Sequence, residues 1–146
     1  MAKISLILII TFLLAQTLNS AEIYGVPKII DGDTVHINNK KIRLEGIDAP
    51  EIKQQCKKPF LKISAIIGFE FNKNYSCGVT AKKKLTDKID SSKIKCISSS
   101  KDRYKRFLAT CFKDKINLNK WMVRNGHAVA YKRYSKDYVR DEAYAK

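Results

Sequence analysis

Apolar residues alternate with polar ones in several short runs, and turn-forming residues separate the runs. Val35 and Ile37 alternate with Thr34, His36 and Asn38, while Ile42 and Leu44 alternate with Arg43 and Glu45. A period of two places each apolar set on one face of a strand. Ile23–Ile30 reads as a strand before these, with Pro27 marking an edge or a bulge. Asp31-Gly32-Asp33 turns the chain from the first strand into the second. Asn38-Asn39-Lys40 turns the second into a third over Lys41–Ile47, so a meander is expected.

Residues 52–76 carry no clear period. Lys57-Lys58-Pro59 reads as a break, and the patchy apolar run Phe60–Phe71 fits either a short helix or a hairpin packed on a barrel. From Cys77 the pattern changes. Val79, Leu85 and Ile89, with Ala81, mark one face of a helix of about three turns, and lysines fill the other. Lys93–Ile97 alternates as a strand, Ser98–Lys101 reads as a loop, and Arg106–Phe112 is the next strand. Ile116–Asn125 reads as a helix with Leu118, Trp121 and Met122 as its stripe and Gly126 as its stop. Ala128–Tyr131 is extended, and Lys136–Ala145 is a last, charged helix. Five strands, a helix between the third and fourth, and helices after the fifth describe an OB-fold: a partly open barrel, α+β but mainly β. A generic α+β domain is the alternative.

Composition narrows the partners. The 146 residues suffice for one domain, expected over residues 22–146, and 29 Lys+Arg against 14 Asp+Glu give a net charge of +15. Such an excess favours a polyanion: nucleic acid, acidic glycan or anionic membrane. Lys3 followed by the apolar run Ile4–Leu14 fits the core of a signal peptide over residues 1–20, cleaved between Ala15 and Ala21. An uncleaved anchor is the alternative. Export to the periplasm or the medium puts Cys56, Cys77, Cys96 and Cys111 in an oxidising compartment, with three pairings open in principle. Cys56 and Cys77 bracket the weakly patterned insert, and a bridge there is worth roughly 3 kcal/mol of chain entropy. A hairpin folded at Arg103 and Tyr104 sets Cys96 opposite Cys111. These two bridges are therefore favoured.

The candidate chemistry sits in three stretches: Asp31-Gly32-Asp33-Thr34, then Arg43 to Glu51, then Asp102 to Arg106. Asp-Gly alone is a turn signal. Together, however, a hairpin joins two acidic corners at one end of a barrel. Hard cations such as Ca²⁺ take several oxygen ligands. Asp33 and Asp48 offer carboxylates and Ala49 a main-chain carbonyl, while Glu51 is placed to orient water. Arg43 and Arg106 offer planar forks that match phosphate oxygens. His36 and His127 lack partners at metal-ligand spacing and read as surface or packing residues, and no Ser/His/Asp set is present.

The order of these stretches, followed by Trp121–Gly126 and Ala128-Val129-Ala130-Tyr131, resembles the staphylococcal (micrococcal) nuclease family. The resemblance implies an OB-fold and a calcium-dependent, extracytoplasmic nuclease acting on DNA and RNA and leaving 3′-phosphate ends. It implies Asp33, Asp48 and Ala49 as calcium ligands, Glu51 as general base, and Arg43 and Arg106 as phosphate clamps. It further implies Asp31 as an acid supporting the ligands, and Tyr104 and Tyr131 as contacts to the nucleotide. The chain departs from the staphylococcal pattern at Ala49, which stands for Thr, and at Lys105, which stands for Gly; the basic loop after Glu51 is replaced by the insert. A monomer is expected, with no stable membrane association once the signal is cleaved. Two other readings remain: a non-catalytic OB module binding nucleic acid through charge and stacking, and a basic protein meeting membranes or host surfaces through Ile63–Phe71.

Overall fold

The computed structural model describes residues 20–63 and 69–145. The expected signal segment, apart from Ser20, and the middle of the insert at 64–68 lie outside them.

The first expected strand is broken at Val26-Pro27 into β1 (Ala21–Gly25) and β2 (Lys28–Ile29). β3 (Thr34–Ile37) and β4 (Lys40–Leu44) follow, joined by Asn38 and Asn39, both at positive φ. Two left-handed residues make the tight turn whose twist suits a hairpin, and asparagine tolerates that conformation. β4 stops earlier than Ile47 because Gly46, at φ +75°, turns the chain into the short β5 (Ile47–Asp48).

The main sheet runs β1-β8-β9-β4-β3-β2, where β8 is Ile94–Lys101 and β9 is Phe107–Lys113. Its two ends are the two halves of one interrupted strand, so the sheet returns on itself as a five-stranded OB barrel. β4 and β9 are the parallel pair. The stretch expected as a loop, Ser98–Lys101, is instead part of β8, and a bulge between Ser98 and Ser100 absorbs the extra residue. Pairing against Phe107, Leu108 and Ala109 overrides the poor strand preference of serine. Cys96 stands directly opposite Cys111 and is bridged to it, both residues fully buried.

The insert resolves into a hairpin, β6 (Cys56–Ile63) with β7 (Phe69–Tyr75), and Cys56 is bridged to Cys77 at its base. Lys57-Lys58-Pro59 is therefore not a break. These two strands pair only with each other among the described residues, so a proline without an N–H is tolerated there.

α1 (Cys77–Ile89) buries Ala81, Leu85 and Ile89 in the hydrophobic core shared with the barrel strands. Val79 does not join them and is exposed: two residues before Ala81 it points about 200° away around the axis. α2 is shorter than expected, Leu118–Arg124, because Ile116 and Asn117 form β10 against Lys113 and Phe112. Asn117 caps it by accepting the Lys120 N–H, and Gly126 at φ +72° ends it. β11 (Val129–Ala130) pairs β5, and α3 covers only Val139–Tyr144.

One buried polar side chain ties these parts together. Asn119 accepts the Cys111 N–H and donates to the carbonyls of Glu45 and Ala109, at 2.9–3.0 Å. It fastens α2 to the middle of β9 and to Glu45, just past the end of β4, where the chain leaves toward Asp48.

Candidate active site

The acidic corner is built by backbone turns. Asp31 Oδ1 accepts the Asp33 N–H at 3.0 Å, and the Asp33 carbonyl accepts the Leu44 N–H at 2.7 Å. Asp31 thus shapes the turn that aims Asp33. Gly32 permits the turn to lie close to the next element, since a Cβ there would meet Ala49 Cβ at 2.6 Å and Ala81 Cβ at 2.9 Å.

Asp33 is 3% exposed. Its Oδ1 accepts from Arg43 Nη1 at 2.9 Å and from the Thr34 hydroxyl at 3.0 Å, and its Oδ2 accepts the Ala49 N–H at 3.1 Å. Arg43 Nη2 reaches Asp48 Oδ1 at 2.8 Å. One guanidinium therefore gathers both carboxylates. Burial raises the Asp33 pKa to about 6 and nearby Asp31 adds to the rise, while Arg43, the Ala49 N–H and Thr34 oppose it. A buried carboxylate this costly to ionise, next to a second one, is a donor set that a divalent cation suits. The set is small: among the described residues, no group of three or more His, Cys, Asp or Glu is arranged around one metal position. The Ala49 carbonyl, water and substrate oxygens would have to complete the shell.

Glu51 follows Pro50 on an exposed turn. Its carbonyl accepts the Gln54 N–H at 2.8 Å, and its N–H donates to Gln54 Oε1 at 3.2 Å. Gln55 Nε2 donates to Ser76 Oγ at 2.9 Å, and the Cys56–Cys77 bridge closes the same clasp. Gly78 packs so tightly on the turn that a Cβ would fall 1.7 Å from the Glu51 carbonyl oxygen. The insert's disulfide and the start of α1 thus hold the backbone that carries Glu51.

The loop between β8 and β9 is organised by Asp102, whose part sequence reasoning missed. Its Oδ1 accepts the N–H groups of Tyr104 and Arg106, and its Oδ2 accepts Arg106 Nε at 2.7 Å. Burial acts to raise the Asp102 pKa, but bonds from the Arg106 side chain and backbone and from the Tyr104 N–H outweigh it and lower the pKa. Bonding through Nε orients the Arg106 fork. Tyr104 is 63% exposed and lies near two guanidinium groups, Arg103 at 4.8 Å and Arg106 at 5.5 Å. Lys105, where the staphylococcal pattern has Gly, adopts φ +63°. The loop keeps the left-handed residue and accepts its strain. We expect Lys105→Gly to be stabilising or neutral, within about 1 kcal/mol, by urea denaturation, because relief of strain is partly offset by the entropy of glycine.

Asp33 and Glu51 line neither of the two clefts here, and Asp48 and Ala49 line one of about 380 Å³, whereas Arg43 and the Asp102–Arg106 loop meet around the other, of about 680 Å³. Arg43, Tyr104, Arg106 and Tyr131 all line it, together with Arg133 and Tyr134, which sequence reasoning did not single out. Tyr131 and Tyr134 have ring centres 4.9 Å apart, and the Tyr131 N–H donates to the Gly46 carbonyl at 2.9 Å. The signal was the spacing of two tyrosines around a basic pair, Lys132-Arg133. Asp33 and Asp48 reach this cleft through Arg43. His127 packs beside Trp121, ring centres 5.5 Å apart, and burial with nearby Lys84 pushes its pKa down, which fits its reading as a packing residue.

The family model described as staphylococcal nuclease homologue matches residues 41–146, which takes in Arg43, Asp48, Glu51 and Arg106 but begins after Asp33. Among curated relatives, the succinoglycan biosynthesis protein ExoI of Rhizobium meliloti is 33% identical over 109 residues, 73% of this chain and 51% of that protein. An uncharacterised endonuclease of Haemophilus influenzae is 36% identical over 138 residues, 91% of this chain and 65% of its own length. An uncharacterised endonuclease of Escherichia coli O157:H7 is 28% identical over 137 residues, 90% of this chain and 76% of its own. The chain spans about half of the first relative and about two thirds of the second. With a match over most of its length, the chain belongs to the staphylococcal nuclease homologue family.

Proposed function

We propose that the protein is an exported, calcium-dependent endonuclease that hydrolyses phosphodiester bonds of DNA and RNA. One observation carries this reading: Arg43 contacts both Asp33 and Asp48 while lining the same cleft as Arg106. A phosphodiester in that cleft has anionic oxygens beside two guanidinium groups. Five N–H donors belong to each guanidinium; Arg43 uses two on the carboxylates and Arg106 uses one on Asp102. The rest are available to oxygens that gain charge as the bond to water forms.

Asp33, Asp48 and the Ala49 carbonyl would hold the cation, which when bound supplies positive charge beside the phosphoryl oxygens. Glu51 takes the proton from the attacking water. Tyr104, Tyr131 and Tyr134 give the nucleoside aromatic surfaces, and the charge of +15 draws in the polyanion. Export is supported by the two formed disulfides. No helix among the described residues is long and apolar enough to cross a membrane.

The direct test is digestion of plasmid DNA and of RNA by the chain lacking residues 1–20, with calcium and then with chelator. Cleavage that chelator abolishes supports the reading. Binding without cleavage in calcium would replace it with the non-catalytic OB module.

Calcium also leaves a signature in stability. Asp33 has its folded pKa raised to about 6. In chelator, its favourable contribution is complete below the unfolded pKa of about 4 and is lost as pH rises through about 6. Calcium binds the ionised form and counters that loss. A calcium-induced rise in Tm of about 5 °C is expected at pH 7.5, shrinking toward zero at pH 5, by thermal melts at matched ionic strength.

A further inference from the structure

A second concavity, of about 380 Å³, opens beside the first. Gly46 and Ile47 line the first, and the next residues, Asp48 and Ala49, line the second. Arg43 lies in the first and is bonded through Nη2 to Asp48 in the second. A phosphate held at Arg43 would therefore stand between the two, with one nucleoside on each side.

The base of the insert hairpin contributes to the lining of the second cleft. Cys56 and Tyr75 are directly opposite partners in the β6–β7 hairpin, and both line this second cleft. Side chains on a strand change face at every residue. Lys57 and Asn74 therefore face away, and the next pair on the cleft's own face is Lys58 opposite Lys73, both exposed. Like charges directly opposite each other weaken a hairpin. A phosphate between two ammonium groups turns that repulsion into charge-assisted bonding. Tyr75 itself is 41% exposed and offers a ring face for stacking.

We propose that the second cleft and this hairpin face bind the nucleotide across the scissile phosphate from the one in the first cleft. Tyr75 stacks its base, and Lys58 and Lys73 grip the next phosphate of a single strand. The proposal rests on the nuclease reading and assigns the insert a part in it.

The test is anisotropy of a fluorescein-labelled single-stranded DNA of about ten nucleotides, titrated with the purified protein in chelator at several salt concentrations. Lys58→Glu is the informative variant, because it converts a repulsive cross-strand pair into an attractive one. A structural role would only strengthen the hairpin. The proposal instead expects an unchanged or higher Tm together with affinity lower by about tenfold and a log–log salt slope shallower by about 1. Tyr75→Ala is expected to weaken binding about tenfold with the slope unchanged. If wild type binds and cleaves but Lys58→Glu keeps its slope and affinity, the second subsite is wrong and the nuclease reading stands. If wild type neither binds the strand nor cleaves it, both fall.

Discussion

Glu51→Gln is expected to lower kcat on plasmid DNA in calcium by about three orders of magnitude, with substrate affinity changed by less than about twofold. The substitution keeps the shape of the side chain and removes its capacity to take a proton. The turn does not depend on that carboxylate. Its backbone is held by the Glu51 carbonyl and N–H to Gln54, by Gln55 to Ser76, by the Cys56–Cys77 bridge, and by the close approach of Gly78. Circular dichroism and Tm should therefore match wild type, and anisotropy in chelator should return the same Kd. Loss of turnover with binding intact is the signature of a group that acts only in the transition state. Turnover equal to wild type would remove Glu51 from the reaction.

The barrel was legible because its strands leave one face in water. Val35, Ile37, Ile42 and Leu44 are buried at every second position, and that alternation is what a half-buried strand writes into a sequence. The insert writes no such record. β6 and β7 pair only with each other among the described residues, so no barrel face imposed a period on them. Its boundaries were readable all the same, because Cys56 and Cys77 close the loop at its base. Where pairing alone decides the conformation, as at Ser98–Lys101, local preference pointed the wrong way. Val79 misled for a different reason: an apolar residue in the first turn of α1 belongs to the stripe only if its angle around the axis agrees, and that of Val79 does not.

In the site, the residues that could be read are those placed by turns with fixed chemistry. Asp31-Gly32-Asp33 is such a turn, Pro50 ends the short strand that carries Asp48, and Arg43 sits on a strand whose alternation shows which face it takes. Their meeting followed from one hairpin, since the β3–β4 register sets Thr34 opposite Arg43. Arg133 and Tyr134 lie between β11 and α3, where no period marks a direction, and only the folded chain brings them to the cleft. Asp102 was visible as a residue and invisible as a function, because its work is done on its own loop.

That function sets the second large effect. Arg106→Lys is expected to lower kcat by about 100-fold, although charge is kept. The Arg106 fork is aimed by a bond from Nε to Asp102 Oδ2 at 2.7 Å, while Asp102 Oδ1 holds the backbone on either side of Lys105. An ammonium has no Nε to give Asp102 and no second nitrogen to give the phosphate. It would either pair with Asp102 or reach into the cleft as a single point charge. Asp102→Asn separates the two parts, since the amide oxygen still accepts the Tyr104 and Arg106 N–H bonds but the ionic hold on the fork is gone. A fall of about tenfold is expected for it, between wild type and Arg106→Lys. Steady-state kinetics on a short oligonucleotide decide the matter. A loss confined to KM would make Arg106 a holder of the bound substrate, whereas equal losses in kcat and kcat/KM place its fork on oxygens that gain charge only as the bond breaks.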